Sequence, residues 1–140
     1  MATVTTQLFP WSDTLSMKIG IIDTQHKHLV GLINDLHQAM VDGQEKEQAG
    51  KILSTLIKYA QVHFKTEEGL MYTYTYPDYG SHRFEHEHLT ATVLDFLDKY
   101  QRGEVGITIE VMEFLKNWLY KHILESDKRY SHYLNSQGVR

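Results

Sequence analysis

The sequence of 140 residues contains no cysteine. This absence excludes disulfides, a thiolate metal site and a cysteine nucleophile. Only two prolines occur, Pro10 and Pro77, so long stretches of the chain lack the strongest helix breaker. No apolar run approaches the roughly 20 residues that span a bilayer, and the polar N-terminus does not resemble a signal peptide. We therefore expect a cytoplasmic protein without membrane insertion.

Positive charge is also scarce and scattered. The chain has 14 Lys and Arg against 18 Asp and Glu, which gives a net charge of −4. Nucleic-acid binding requires a clustered positive face, so we do not expect a nucleic-acid partner. The length suits one domain, and 41% hydrophobic residues support a packed core instead of disorder. We predict a single domain over 1–140.

Apolar residues recur at alternating steps of three and four along most of the chain, which is typical of amphipathic helices. Breaks in this pattern leave an irregular N-terminal arm and four helical segments: 1–22 for the arm, then 23–41, 45–73, 80–101 and 107–134. No stretch shows the period of two that is typical of strands. Because the connections are short, we predict an all-α, antiparallel up-down-up-down four-helix bundle.

Polar side chains occupy positions of these patterns where leucine or isoleucine is expected. They are His26, His63, Glu67, His82, His86 and His122. A buried polar group without a partner destabilises the fold by a few kcal/mol. Since net stability is only about 5–15 kcal/mol, these six groups must be satisfied by one another or by a ligand.

The six residues are predicted to converge at one end of the bundle. They lie at the start of the first and third helices or late in the second and fourth, and these places coincide in an up-down-up-down bundle. Asp127 follows close to the same end. Five imidazoles and two carboxylates without sulfur are a typical set of metal ligands. One octahedral ion cannot use seven ligands, so the set favours two metals.

The spacing of these residues supports a shared site. The candidates on the second and third helices are four residues apart, which puts both members of each pair on one helix face. His122 and Asp127 are five apart, about 140° on a regular helix, so they need a long reach or a local π-type widening. The remaining histidines and one acid are predicted to face solvent: His28, His37, His88, His132 and Glu68.

These motifs resemble those of the hemerythrin family in its single-domain bacterial form. The similar stretches are Asp-Thr-Gln-His-Lys-His-Leu at 23–29, His-Phe-x-x-Glu-Glu-x-x-Met at 63–71, Tyr-Pro at 76–77, His-x-x-x-His at 82–86 and Trp-Leu-x-x-His-Ile-x-x-x-Asp at 118–127. The resemblance runs from about Trp11 to Tyr130 and includes all seven ligand positions in order. It implies the same four-helix bundle.

The resemblance also implies a cofactor of two iron ions joined by an oxo or hydroxo bridge. One iron would be held by His82, His86 and His122, the other by His26 and His63, and both by the bridging carboxylates Glu67 and Asp127. This set leaves one coordination position open, on the iron with two histidines, where dioxygen is expected as a ligand. Zinc or manganese would suit similar ligands, but the open, histidine-rich arrangement favours iron.

Apolar residues at suitable offsets from the ligands are predicted to line a dry dioxygen pocket. They are Leu29, Ile33, Phe64, Trp118, Leu119 and Ile123. Exclusion of water and protons would slow the oxidation of the iron pair. Ordinary core packing is the alternative explanation for each of these side chains.

The combined features predict reversible dioxygen binding instead of catalysis. Storage, or delivery to an oxygen-consuming enzyme, is the expected role, and the chain is expected to be a monomer. Ferritin-like oxidases carry two Glu-x-x-His motifs, whereas here Glu85 and His88 form a single one. The alternatives are a di-iron redox enzyme acting on peroxide or nitric oxide, and an oxygen or redox sensor module.

Overall fold

The structure is a computed structural model that describes residues 7–43 and 46–140. Within these ranges it contains helices and no strand. After a short 3₁₀ helix (Asp13–Leu15), the helices are α1 (Gly20–Val41), α2 (Lys46–Thr73), α3 (Tyr79–Gln101), α4 (Ile109–His122), a π-helical segment (Ile123–Asp127) and α5 (Lys128–Ser136). Because α4, the π segment and α5 follow one another without a break, four rods form the bundle. The predicted all-α four-helix fold is confirmed.

The first two helices make the main packing contacts between the rods. Helix α1 packs against α2 and α4, and α2 also packs against α3 and α5. In the described part of the chain, each helix is too short or too polar to cross a membrane. The arrangement brings the starts of α1 and α3 level with the ends of α2 and α4.

Helix α1 begins three residues before the predicted start. The carboxylate of Asp23 accepts hydrogen bonds from the Met17 N–H at 2.7 Å and from the Ser16 hydroxyl at 2.6 Å. The backbone N–H of Asp23 meanwhile bonds the carbonyl of Ile19. Asp23 therefore lies in the first helical turn and ties down the preceding segment, so the irregular arm ends at Ile19 and not at residue 22.

The first three helices end where predicted, at Val41, Thr73 and Gln101, and the remaining described boundaries shift by one or two residues. Helix α4 starts at Ile109 instead of 107, because Thr108 is its N-cap and accepts a hydrogen bond from the Val111 N–H at 3.3 Å. The last rod ends at Ser136, two residues later than predicted. The predicted start of the second helix, at 45, lies outside the described residues.

The described part of the N-terminal arm packs across the bundle. Phe9 is buried, and its backbone exchanges two 2.8 Å hydrogen bonds with the side chain of Asn34. Its ring lies 6.0 Å from that of Tyr120, and Lys128 donates to the carbonyl of Ser16 at 2.7 Å. The arm thus fixes α1 relative to the last rod, which positions their polar residues opposite each other.

Candidate metal centre

The seven predicted ligands converge at one end of the bundle. Helices α1, α2, α3 and α4 each contribute at least one of them, and the π segment contributes the last. They are His26, His63, Glu67, His82, His86, His122 and Asp127, and none is more than 6% exposed. Their donor atoms form two groups in which every donor lies within 4.8 Å of the others.

The two groups differ in histidine number and share both carboxylates. The first, here called the three-histidine group, contains His82, His86 and His122 together with Glu67 and Asp127. The second, the two-histidine group, adds its own two imidazoles to the same carboxylates, and these imidazoles belong to His26 and His63. The structure therefore contains two adjacent groups of donors that share both carboxylates, and each group could hold a metal ion.

Asp127 faces both groups with separate oxygens. Its Oδ1 lies 3.0 Å from His82 Nε2 and 3.1 Å from His122 Nε2. Its Oδ2 lies 3.1 Å from His26 Nε2. Octahedral metal–ligand bonds of about 2.1 Å would put neighbouring donors about 3.0 Å apart. The observed separations match that spacing.

Glu67 also contacts both groups. Its Oε1 lies 3.1 Å from His63 Nε2 and 3.3 Å from His86 Nε2. Its Oε2 lies 3.7 Å from His26 Nε2 and accepts a hydrogen bond from the hydroxyl of Tyr130. Tyr130 is fully buried, so its hydroxyl adds a buried polar contact to this carboxylate.

Six buried atoms of this cluster have no hydrogen-bond partner among the described residues. They are both ring nitrogens of His26, His82 Nε2, Glu67 Oε1 and both carboxylate oxygens of Asp127. Unsatisfied buried polar atoms are rare in native proteins and require an explanation. Imidazole and carboxylate donors around common points suit a transition-metal ion. The residues therefore fit the metal that their pattern predicts.

The π segment explains how the last two ligands reach the same site. The Lys128 N–H bonds the carbonyl of Ile123, five residues earlier. The wider turn reduces the rotation per residue, so His122 and Asp127 come to face one another across 3.1 Å. Of the two routes that the spacing allowed, a long reach or a π-type widening, the structure has the second.

Three ligand imidazoles are oriented through their second ring nitrogen. His63 Nδ1 lies 2.6 Å from Gln25 Oε1, and His86 Nδ1 lies 3.0 Å from Glu68 Oε2. His122 Nδ1 bonds Glu85 in the same way, at 3.0 Å. An Nδ1–H that donates to such an oxygen fixes the tautomer and leaves Nε2 free as a ligand.

These orienting residues were missed from the sequence, and one of them corrects a prediction. Glu68 was predicted to face solvent, but it is half-buried because the imidazole of His86 packs against it. The signal for these residues is adjacency, since Gln25, Glu68 and Glu85 each directly precede or follow a ligand. Of the other residues predicted to face solvent, one is half-buried and the rest are exposed: His37 half-buried, and His28, His88 and His132 exposed.

A cavity of about 290 Å³ lies between the four rods, beside the ligand cluster. Five of the six predicted pocket residues line it, namely Leu29, Ile33, Phe64, Trp118 and Leu119. Ile123 does not line it. The cavity reaches only as far as Leu119 on the last rod, and Ile123 lies one turn beyond, where it is packed in the core.

Two aromatic rings of the cavity wall stack on ligand imidazoles. Phe64 lies parallel to His86 with ring centroids 3.9 Å apart, and Trp118 lies parallel to His122 at 4.7 Å. These contacts hold the two imidazoles from the face that their hydrogen bonds do not reach. They also place apolar surface directly against the three-histidine group.

Histidine and carboxylate charges stabilise one another in this cluster. Burial lowers the pKa of His26 and of His122, but the facing carboxylates outweigh burial and raise these pKa values to about 9 and about 10. Burial also raises the pKa of Glu67, yet the charge of His63 and the other imidazoles that face it hold this pKa well below its usual range. Metal binding must displace the protons of these imidazoles.

We expect opposite pH dependences for the metal-free and metal-loaded protein. A histidine whose pKa is raised by folding contributes stability below its unfolded pKa of about 6.5, which is lost as pH rises through the folded value. The stability that His26 and His122 contribute to the metal-free chain should therefore decline between pH 6.5 and 10. Metal competes better as protons leave, so the melting-temperature gap between loaded and metal-free protein should widen from pH 6.5 to 9. A melting-temperature gap that narrows over this range contradicts this account. His132→Gln, which changes an exposed histidine, is the control and should leave the gap as in the parent.

The fold and the buried donors define a four-helix bundle with a histidine-rich, carboxylate-bridged site that fits metal ions. Residues 17–134 match the family model described as the hemerythrin HHE cation binding domain. The bacteriohemerythrin of Methylococcus capsulatus is 36% identical over 112 residues, which cover 80% of this chain and 85% of that protein. The chain belongs to the hemerythrin family.

Further relatives and solved structures agree. The bacteriohemerythrin of Stenotrophomonas maltophilia is 32% identical over 124 residues, which cover 89% of this chain and 80% of that protein. The crystal structure of a wild-type hemerythrin superposes with a TM-score of 0.84 at 33% identity, covering 89% of this chain and 95% of that one. These similarities agree with the resemblance to the hemerythrin family that the sequence motifs indicated.

Proposed function

We propose that the protein binds dioxygen reversibly at a di-iron centre. The ligands would be the residues of the three-histidine and two-histidine groups: His26, His63, Glu67, His82, His86, His122 and Asp127. When bound, the iron pair supplies the two electrons that reversible dioxygen binding requires. The proposal rests on the site's donors and on membership of the hemerythrin family.

The observation that carries the proposal is the unequal number of histidines. Both groups share Glu67 and Asp127, but one has three imidazoles and the other two. Equal carboxylate contributions therefore leave the metal beside His26 and His63 one protein ligand short. An external ligand would complete that position, which is the arrangement that a binding protein requires.

The chain's own residues keep this position oriented and dry. Gln25 fixes the ring of His63 through Nδ1. Phe64, whose ring centroid lies 6.0 Å from that of His63 as well as against His86, and Leu119 are both buried and line the cavity beside the cluster. Apolar walls exclude water and protons, which would otherwise promote irreversible oxidation of the iron pair. The role proposed for them is thus to lengthen the life of the oxygenated state.

We propose oxygen storage or delivery as the role, with no catalytic turnover. Stopped-flow measurement of dioxygen binding and release, beside a peroxide turnover assay on the same preparation, separates a carrier from a di-iron redox enzyme. A carrier releases dioxygen unchanged and shows no sustained peroxide consumption. Turnover of peroxide many times per iron pair would contradict the proposal and favour the redox enzyme.

Leu119 should control how long the oxygenated state survives. It lies one turn before His122 on α4, is 6% exposed and lines the cavity. Leu119→Ala should destabilise the fold by about 2–5 kcal/mol and admit water. We expect faster autoxidation, measured optically, with unchanged iron content. Leu119→Asn should be faster still, because its amide can bond a water molecule.

A matched control separates water entry from loss of packing. Leu53 is equally buried and lines the same cavity, but lies ten residues, about 15 Å along α2, from His63. Leu53→Ala should cost similar stability without altering the autoxidation rate. If the Leu119 variants keep the parent's autoxidation rate, Leu119 is an ordinary core residue.

A further inference from the structure

The hydrogen bonds outside the ligand cluster differ between the two groups. In the three-histidine group, His86 and His122 each place Nδ1 3.0 Å from a carboxylate oxygen, on Glu68 and Glu85 respectively. These two acids are here called the outer carboxylates. In the two-histidine group, the acceptor on His63 is the neutral amide of Gln25.

The remaining imidazole of the two-histidine group has no such support. Across residues 7–43 and 46–140, no hydrogen-bond partner reaches His26 Nδ1, although the ring is fully buried. Of the two carboxylate oxygens that face this ring, Asp127 Oδ2 lies 3.1 Å and Glu67 Oε2 3.7 Å from His26 Nε2, and Glu67 Oε2 already accepts the hydroxyl hydrogen of Tyr130. A hydrogen bond to a carboxylate oxygen withdraws electron density from it. The two-histidine group therefore has weaker donors than the three-histidine group, both at its imidazoles and at the Glu67 oxygen that faces His26.

The outer carboxylates are built into the fold as charged groups. The Ser126 hydroxyl, on the π segment, donates to Glu85 at 2.7 Å. The same carboxylate oxygen lies 3.0 Å from His122 Nδ1. Arg83 Nε lies 3.9 Å from the other oxygen of Glu68. Each outer carboxylate thus has an ordered contact besides its imidazole.

A charged acceptor strengthens an imidazole as a ligand more than a neutral one does. Hydrogen bonds to ionised acceptors are roughly twice as strong as neutral ones. A carboxylate on Nδ1 raises the basicity of Nε2, which is the atom that faces the metal. The added negative charge of two acids also attracts a cation over the short distance through buried protein.

We infer that Glu68 and Glu85 make the three-histidine group the tighter metal position, so that it fills first and the two-histidine position fills second. This inference rests on the proposed function, because it takes the two groups as metal positions. It assigns the outer carboxylates a positioning role, exerted through His86 and His122. It follows that the metal beside His26 and His63 is the one that is lost and exchanged first.

The test is a titration of the metal-free, full-length chain with Co²⁺ under anaerobic conditions, followed by its visible absorption. Co²⁺ reports its ligand environment without dioxygen chemistry. The parent should bind two ions per chain in two resolved steps. Glu68→Gln and Glu85→Gln keep the side-chain volume and remove the charge. Each should weaken the first step by about 10–100-fold and leave the second step within about threefold.

Two further variants make the test specific. Gln25→Glu gives His63 the charged acceptor that it lacks, and should tighten the second step. Asp95→Asn removes an acid on α3 that is 62% exposed and pairs with Lys99, and should change neither step. If the outer carboxylates had only a structural role, their variants would lower the melting temperature of the metal-free protein but would not weaken the first binding step more than the second.

The outcomes separate this inference from the proposed function. Two Co²⁺ ions that bind the parent in one unresolved step, or outer-carboxylate variants that weaken both steps equally or neither, overturn the inference and leave the proposed function standing. A parent that binds fewer than two Co²⁺ ions per chain contradicts the proposed di-iron site itself, and the inference with it.

Discussion

Glu67→Ala should lose at least one of the two iron ions that the parent chain is expected to bind. Glu67 Oε1 lies 3.1 Å from His63 Nε2 and 3.3 Å from His86 Nε2. Its removal therefore deletes a donor from both groups and leaves the cluster more positively charged. A single histidine belongs to only one group, so His86→Ala should have a smaller effect. Elemental analysis of purified protein measures the iron content.

Controls separate this effect from unfolding. Glu67→Ala also leaves the hydroxyl of Tyr130 buried without its acceptor, at a cost of about 1–3 kcal/mol. Glu67→Gln keeps an oxygen for that hydroxyl while removing the charge, and should still lose iron. Glu47→Ala, on the same helix but 76% exposed, should keep the parent's iron content. Two irons per chain retained in Glu67→Ala contradict the bridging role.

Removal of the metals should lower the melting temperature by roughly 20–30 °C. Each metal stabilises the assembled site by about 4 kcal/mol when free metal is 1,000 times its Kd. Two metals give about 8 kcal/mol, and each kcal/mol shifts the melting temperature of a domain of this size by roughly 3 °C. Without metal, six buried donor atoms of the site have no hydrogen-bond partner among the described residues. Calorimetry with and without a chelator measures the difference.

Hydrogen exchange should localise this loss of stability. Protection of the backbone amides should fall near His26, His63, His82 and His122, where the ligands replace apolar side chains inside the bundle. The opposite end of the bundle, where Tyr100 bonds the carbonyl of Lys46 at 2.8 Å, should change little. Identical melting and exchange profiles for both forms would show that metal is not part of the fold.

The arrangement of the helices and the ligands could be predicted because both follow from helical periodicity. Six polar residues at apolar positions of four helices can converge only if the helices alternate in direction. The five-residue spacing of His122 and Asp127 likewise indicated a local departure from the regular helix, and the π segment provides it. The convergence of these residues and the π segment follow from sequence spacing, and the structure contains both.

The orienting residues could not be predicted because their role depends on which neighbour they face. Glu68 and Glu85 lie one position off the apolar face, where acids usually face solvent. Each becomes a hydrogen-bond partner only because a ligand imidazole on another helix turns its Nδ1 towards it. The predicted start of α1 was wrong for a similar reason, because Asp23 accepts hydrogen bonds from Met17 and Ser16, which precede the helix.

The extent of the pocket depends on side-chain packing, which periodicity does not define. Five of the six predicted residues line the cavity, whereas Ile123 lies beyond its end. The dioxygen recipient, the cytoplasmic location and the monomeric state stay predictions from the sequence.

The measurement that tests the central claim most directly is an optical titration of the anaerobic, di-iron-loaded protein with dioxygen. The account predicts saturation at one dioxygen per iron pair, followed by full return of the starting spectrum when dioxygen is removed under vacuum. Repeated cycles should reproduce the same two spectra, with slow loss to the oxidised form. Irreversible oxidation in the first cycle, or no spectral change at one dioxygen per pair, would contradict reversible binding at this site.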